Sequence, residues 1–263
     1  MLKRRLIPKL LFTVVQSRFG PRPALVVTKN FSTRKVVGDP LSQAKIYESQ
    51  LVDELLFLNI DSSPVTQNSV FVSVLQSIAS SLSTPLTVGG GVSSLQDIEL
   101  LLLNGADKVS INTHAHNDLK FVSQAASKFG AQCIVASVDY RFDHISNQHT
   151  IYLSGGSVPT RIDFVDHLRV LQSAGIGEII LTSIDQDGLG RGLDITTADS
   201  IRDVIYVPLI LSGGCGLASH FVDGLEHGAS GVAAGTYFTQ RDQNPLQCRS
   251  QISNSGIPIR LEL

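Results

Sequence analysis

Two glycine runs carry the first hint of chemistry. Val88-Gly89-Gly90-Gly91 ends one apolar, β-favouring stretch and Ser212-Gly213-Gly214 ends another, each followed by a helical pattern. Glycine there leaves backbone N–H groups bare, which suits an anionic group such as a phosphate. A glycine pair after a strand is by itself only a turn signal. The case rests on repetition: Pro85 matches Pro208 and Gly90-Gly91 matches Gly213-Gly214 at a spacing of 123 residues. The register persists downstream, where Gly105-Ala106 matches Gly228-Ala229 and Asn112-Thr113 falls on Gly235-Thr236. Upstream, Asp53-Glu54-Leu55-Leu56 with Asp61 answers Gly177-Glu178-Ile179-Ile180 with Asp185. Repetition on this scale implies two related halves, about 1–130 and 131–240, with a tail at 241–263.

The elements that must position these residues alternate between strand and helix. Strands are expected at 5–11, 54–59, 84–89, 108–111, 133–138, 178–183, 208–212 and 231–235, with helices between them. Residues 13–38 read as a long basic excursion with short extended pieces near Ala24 to Thr28, and residues 140–157 as a polar hairpin. The helix after the sixth strand is expected to reach about Val204. Eight strand–helix units in two fours predict a (β/α)8 barrel in a single domain. An open doubly wound sheet explains the alternation but not the half-length repeat. In a barrel the chemistry lies where strands end. That places Leu11, Asn59, Asp139, Asp185 and Asp187 at the mouth, between two glycine-rich candidate phosphate sites. One comprises Gly90, Gly91, Asn112 and Thr113; the other comprises Gly213, Gly214, Gly235 and Thr236, with Gly188 on a nearby loop. Either both bind, spanning a ligand with a phosphate at each end, or one is a relic of duplication.

Composition narrows the function class. A chain of 263 residues with 43% hydrophobic residues can bury a large core. A net charge of −2 gives no global basic field for nucleic acid. Three cysteines without short spacing favour a reducing compartment over a disulfide framework, and the scattered histidines complete no metal set. The start of the chain has a charged segment before an apolar run, but Pro8 and Lys9 interrupt it and no small-residue cleavage site follows. No apolar stretch reaches the ~20 residues a membrane span needs. A soluble cytoplasmic protein without metal or cofactor is expected.

The motifs fall in register with a known family. Arg5…Ile7-Pro8, Gly38-Asp39-Pro40, Asp53-Glu54-Leu55, Val88-Gly89-Gly90-Gly91, Ala106-Asp107-Lys108-Val109-Ser110-Ile111-Asn112, Asp139, Thr182-Ser183-Ile184-Asp185-Gln186-Asp187-Gly188 and Ser212-Gly213-Gly214 carry the likeness. Over essentially its whole length the chain resembles the cyclase subunit of imidazole glycerol phosphate synthase. The resemblance implies a barrel paired with a glutaminase at its N-terminal face. Ammonia would pass through the barrel to a bisphosphorylated or phosphosugar-type small molecule, which is cleaved and cyclised. It also implies a carboxylate pair at the ends of strands one and five acting as general acid and base, roles that suit two groups with separately tuned pKa values. The second is Asp139, Asp187 after strand six is a further catalytic candidate, and Leu11 stands where the first carboxylate belongs. Lys9 replaces the family's usual cysteine, Asn59 its usual aspartate, and the family's lysine in the excursion falls on Val27, with Lys29 nearby.

At the opposite end, Arg5, Glu54, Lys108 and Glu178 begin strands one, two, four and six. The resemblance makes them the salt-bridged gate through which ammonia enters; the plainer alternative is a charge ring that closes the barrel floor. A floor of the family type beneath a mouth lacking one carboxylate resembles the second-copy cyclase subunits associated with sugar amidation, which implies a possible sugar amidotransferase partner. A histidine-pathway cyclase with a rearranged base and a non-catalytic phosphosugar-binding barrel are the alternatives.

Overall fold

The computed structural model describes residues 4–61, 63–240 and 244–259. Ser62, in the loop expected after strand two, and parts of both termini lie outside the described residues. Eight strands pair in parallel and close on themselves. In barrel order they are β1 (Arg5–Ser17), β4 (Leu55–Asn59), β5 (Leu86–Gly89), β6 (Lys108–Ile111), β7 (Ile134–Asp143), β10 (Glu178–Ser183), β11 (Leu209–Ser212) and β12 (Gly231–Ala234). Closure comes from Arg5 to Pro8 pairing with Gly231 to Ala234 and from Glu178 to Ser183 pairing with Val135 to Tyr140. The fold is the expected (β/α)8 barrel. No described helix is long and apolar enough to cross a membrane.

The helices begin where short polar side chains can hold the first free amides. Asp39 accepts from the Ser42 amide ahead of α1 (Pro40–Ser49), and Asn68 from the Phe71 amide ahead of α2 (Ser69–Ala79). Ser94, Asp118 and Asp163 do the same for α3 (Leu95–Leu103), α5 (Leu119–Phe129) and α6 (Phe164–Ser173). Between α3 and α5 lies the short α4 (Thr113–Asn117). Three further helices follow: α7 (Ile195–Ser200), α8 (Ser219–Glu226) and α9 (Thr236–Gln240). The expected extension of α7 to Val204 is instead a series of turns, although Ile201 remains buried. The tail contains a helix not foreseen, α10 (Pro245–Asn254), opened by a capping box between Asn244 and Gln247.

The excursion after strand one is more regular than its sequence suggested. β1 runs on to Ser17 and turns at Gly20 (φ +102°) into β2 (Gly20–Lys29), which pairs with β3 (Thr33–Gly38). Strand five behaves likewise: β7 continues to Asp143 and returns as β8 (Gln148–Leu153), with β9 (Val158–Pro159) beside it. Each hairpin is held by a matched aspartate. Asp61 accepts from Thr13 Oγ1 (2.6 Å) and the Val14 amide (3.0 Å), while Asp185 accepts from Arg141 (2.7 Å) and the Phe142 amide (3.1 Å).

Period-two alternation divides the buried residues into two cores. Most of the apolar side chains lie between the barrel and its helices. A separate small cluster of Ile7, Leu56, Val135, Ile180, Ile210 and Ala233 fills the interior. Arg5 lies one pleat below Ile7 on the same strand face and Lys9 one pleat above it. The interior therefore stacks as a charged floor, an apolar middle and a polar top.

Candidate active site at the barrel mouth

The polar top is built from strand ends. Lys9 comes from strand one, Asn112 follows strand four, Asp139 lies in strand five, Thr182 in strand six and Ser212 in strand seven, with Asp187 on the loop after strand six. The Lys9 ammonium donates to Ser212 Oγ at 3.1 Å and lies 3.6 Å from Asp187 Oδ1. The other oxygen of Asp187 accepts a 2.5 Å hydrogen bond from Thr28, which the β1–β2 hairpin brings over the mouth. Asn112 donates to Asp139 at 2.8 Å. Lys9, Asp139 and Asp187 are all buried, at 8%, 8% and 5% exposure. Burial pushes the Asp139 carboxyl up, from an ordinary 3.8 to about 6. Lys9 and the Asn112 hydrogen bond pull it back, and the charge of Asp187 adds to the rise.

Asp139 and Asp187 are thus both buried at the polar top, close enough for the charge of one to act on the other. Leu11 lies at the same mouth, lining a pocket with Lys9, Val27, Thr28, Asp187, Gly235 and Thr236. Val27 faces this pocket, whereas Lys29 is exposed at the end of β2. Asn59 accepts from the Asp61 amide through its side-chain oxygen, and its side-chain nitrogen is buried without a partner among the described residues. A second, small pocket gathers Lys9, Asp187, Gly188, Gly213, Gly214, Gly235 and Thr236. Five of the expected phosphate-site residues therefore share one pocket with Lys9 and Asp187, while Asp139 lies outside both pockets. The other set lies outside both pockets: Asn112 serves Asp139, and Thr113 accepts from the Ser154 amide.

The glycines have a reason the sequence did not reveal. A Cβ at Gly90 would come within 1.9 Å of the Asn59 carbonyl, and one at Gly214 within 1.9 Å of the Gly192 carbonyl. Both residues have positive φ, +95° and +113°. Close packing of the protein's own backbone thus already demands glycine at both. Gly235 differs: a Cβ there would lie 3.3 Å from the Lys9 carbonyl, tight but without positive φ.

At the floor the four expected charges do meet. Arg5 donates to Glu54 at 2.7 Å and also to Glu178, and Lys108 donates to both glutamates at 2.9 Å. Each carboxylate therefore takes both cations, and Thr87 adds a 2.6 Å hydrogen bond to Glu54. Burial alone would raise the Glu54 carboxyl, but Lys108 and Arg5 outweigh it and hold the group below its ordinary range. Burial opposes the Arg5 charge in the same way, and Glu178 and Glu54 more than compensate, so its pKa rises.

Sequence reasoning missed the joint role of Lys9, Thr28 and Ser212. A detectable signal was Lys9 itself, the one charge within the apolar run Leu6 to Phe12, on the same strand face as Leu11.

These features define a (β/α)8 barrel with ionisable groups beside glycine loops at its C-terminal face and a balanced charge ring at its N-terminal face. Residues 22–244 match the model of the family described as histidine biosynthesis protein. The chain is similar, at 48% identity over 264 residues with the whole of both chains covered, to a protein of Prochlorococcus marinus (strain MIT 9313) provisionally named imidazole glycerol phosphate synthase subunit hisF2. The chain belongs to the histidine biosynthesis protein family and is of the hisF type within it.

Proposed function

We propose that this chain is the ammonia-using barrel of a glutamine amidotransferase pair in the cytoplasm. A glutaminase subunit docks at the N-terminal face and forms a heterodimer. Ammonia enters through the ring of Arg5, Glu54, Lys108 and Glu178, crosses the apolar middle layer and reacts at the mouth with a phosphosugar-type substrate. Neutral ammonia passes an apolar layer at a cost far below that of an ammonium ion, whose burial is expensive. The glycine loops bind the substrate phosphates, and Asp139 and Asp187 serve the chemistry. We further infer a diverged paralogue that serves sugar amidation. The observation behind this reading is the pairing of a complete floor ring with a mouth in which Leu11 replaces a carboxylate. Leucine cannot transfer a proton, and losing one acid–base group typically costs ~10²–10⁴-fold in rate.

The test separates channel from chemistry. Mixed with the glutaminase subunit of imidazole glycerol phosphate synthase, the chain is expected to bind it and stimulate glutamine hydrolysis. With ammonium salts instead, it is expected to convert the histidine-pathway substrate very slowly, and Leu11→Asp to raise that rate. Failure to bind any glutaminase would overturn the pairing. A wild-type rate near the ~10 s⁻¹ of ordinary enzymes would overturn the divergence and favour a second reading, a histidine-pathway cyclase with a rearranged base. The observation favouring that alternative is the buried Lys9 beside Asp187, near enough to act on the charge of Asp139.

A further inference from the structure

The two polar layers of the barrel are built on different principles. At the floor, two cations meet two anions and each carboxylate is doubly paired, so the ring is electrically closed. At the mouth, the single ammonium of Lys9 faces two buried carboxylates: it lies within ion-pair distance of Asp187 and acts on the charge of Asp139 from farther off. An arrangement serving stability alone would be balanced or apolar, because an uncompensated buried charge is expensive. The Lys9 ammonium is also under-used. It has three N–H donors, of which one goes to Ser212, and the 3.6 Å approach to Asp187 is an ion pair without hydrogen-bond geometry. Lys9 lines both mouth pockets, including the one that holds Gly213, Gly214 and Gly235. Its side chain starts one pleat below Leu11 on the same face of strand one, and its length carries the ammonium up to the strand-seven and loop-six groups.

We propose that Lys9 and Asp139 are a proton-transfer pair acting on the carbonyl of a phosphorylated keto sugar bound at this mouth, with Lys9 supplying the acid that position 11 lacks. The proposal rests on the reading of the mouth as a phosphosugar site. In the step, an Asp139 oxygen takes the proton from the carbon next to the carbonyl. The C–H electron pair becomes the C=C bond of an enediol. The carbonyl π pair takes a proton from the Lys9 ammonium. One proton leaves the substrate and one arrives, with no change in oxidation state. Asp187, fixed by Thr28, holds the Lys9 ammonium in place and is a positioning residue in this step.

The experiment uses D-ribulose 5-phosphate in D2O. Proton NMR reads exchange at the carbons flanking the carbonyl, and a phosphorus NMR titration reads binding separately. Wild type is expected to bind and to exchange, with a rate that rises through about pH 6 as Asp139 ionises. At ribulose 5-phosphate concentrations that the phosphorus titration shows to be saturating for each variant, Lys9→Met and Asp139→Asn are expected to slow exchange ~10²-fold or more. Lys9→Arg keeps the charge but does not release a proton in proteins, so it is expected to be as slow as Lys9→Met. Wild-type exchange rates in either Lys9 variant would overturn the proposal, as would a wild type that binds without exchanging. A wild type that shows no phosphorus-detected binding would instead overturn the phosphosugar reading beneath it.

Discussion

At the scale of single residues, the mouth trades stability for titration. Asp139 is buried with its carboxyl raised to about 6, so the folded state favours the protonated form. The stability associated with that group is fully present below the unfolded value near 3.8 and is lost as pH rises through about 6. Asp139→Asn is therefore expected to stabilise the protein at pH 7.5, by on the order of 2 kcal/mol, and to have almost no effect at pH 4. Thermal denaturation at the two pH values checks this, and an equal shift at both would refute it. The glycines give a second residue-scale contrast. Gly214→Ala drives a Cβ into the Gly192 carbonyl at a positive φ and is expected to cost several kcal/mol, on the order of 3 or more. Gly235→Ala meets only a 3.3 Å contact and is expected to cost ~1 kcal/mol or less in stability, while weakening ribulose 5-phosphate binding about tenfold. Equal melting temperatures for the two variants would show that backbone crowding does not fix Gly214. The glycines were legible in the sequence as positions, but their cause was not. A strand-end glycine looks the same whether it makes room for a ligand or for the carbonyl of a neighbouring loop.

At the scale of elements, the alternation of strand and helix was readable because each barrel strand is a short apolar run and most helices start at an Asp, Asn or Ser cap. The two hairpins were read unequally. The polar turn in 140–157 was evident, whereas 13–38 looked irregular. It carries Arg22, Lys29, Arg34 and Lys35 on exposed strand positions and Arg18 in the exposed turn, and buries Thr13 and Ala24 to Thr28. The signal for β1 continuing past Leu11 was the match between Asp61 and Asp185, which tie down Thr13–Val14 and Arg141–Phe142 in the two halves. The same tether predicts a local effect. Asp61→Ala strips the partner from one buried-side hydroxyl and one backbone amide, a loss of ~1–3 kcal/mol. Hydrogen exchange is expected to quicken over 12–17 and 21–26 while strands four to eight keep their protection. Since Thr28 on the same hairpin holds Asp187, a looser hairpin also reaches the mouth. Uniform loss of protection around the barrel would mean that Asp61 supports the whole fold and not the hairpin.

At the scale of the whole molecule, the barrel has two chemically different ends joined by an apolar middle. Four strand-starting charges gave the floor away in the sequence, but their bonding did not show there. Glu54 and Glu178, each only 4% exposed, depend on both Arg5 and Lys108. Lys108→Met therefore leaves two buried carboxylates with one cation and is expected to cost about 3 kcal/mol, near the lower end of the range for breaking a buried pair because Lys108 is partly exposed. A functional defect in that variant could then be mere loosening. Adding Glu54→Gln removes one negative charge with the positive one, leaves Arg5 facing Glu178, and keeps an acceptor for Thr87. The double variant is expected to regain more than half the lost stability, a coupling that a double-mutant cycle of denaturant unfolding measures directly. With the glutaminase bound, the ratio of glutamate released to ammonia consumed at the mouth then reads conduction alone. In the stable double variant the ratio is expected to rise above that of wild type, because half of the charged ring is gone while the barrel stands. A recovered stability with an unchanged ratio would reduce the ring to a structural plug in the floor.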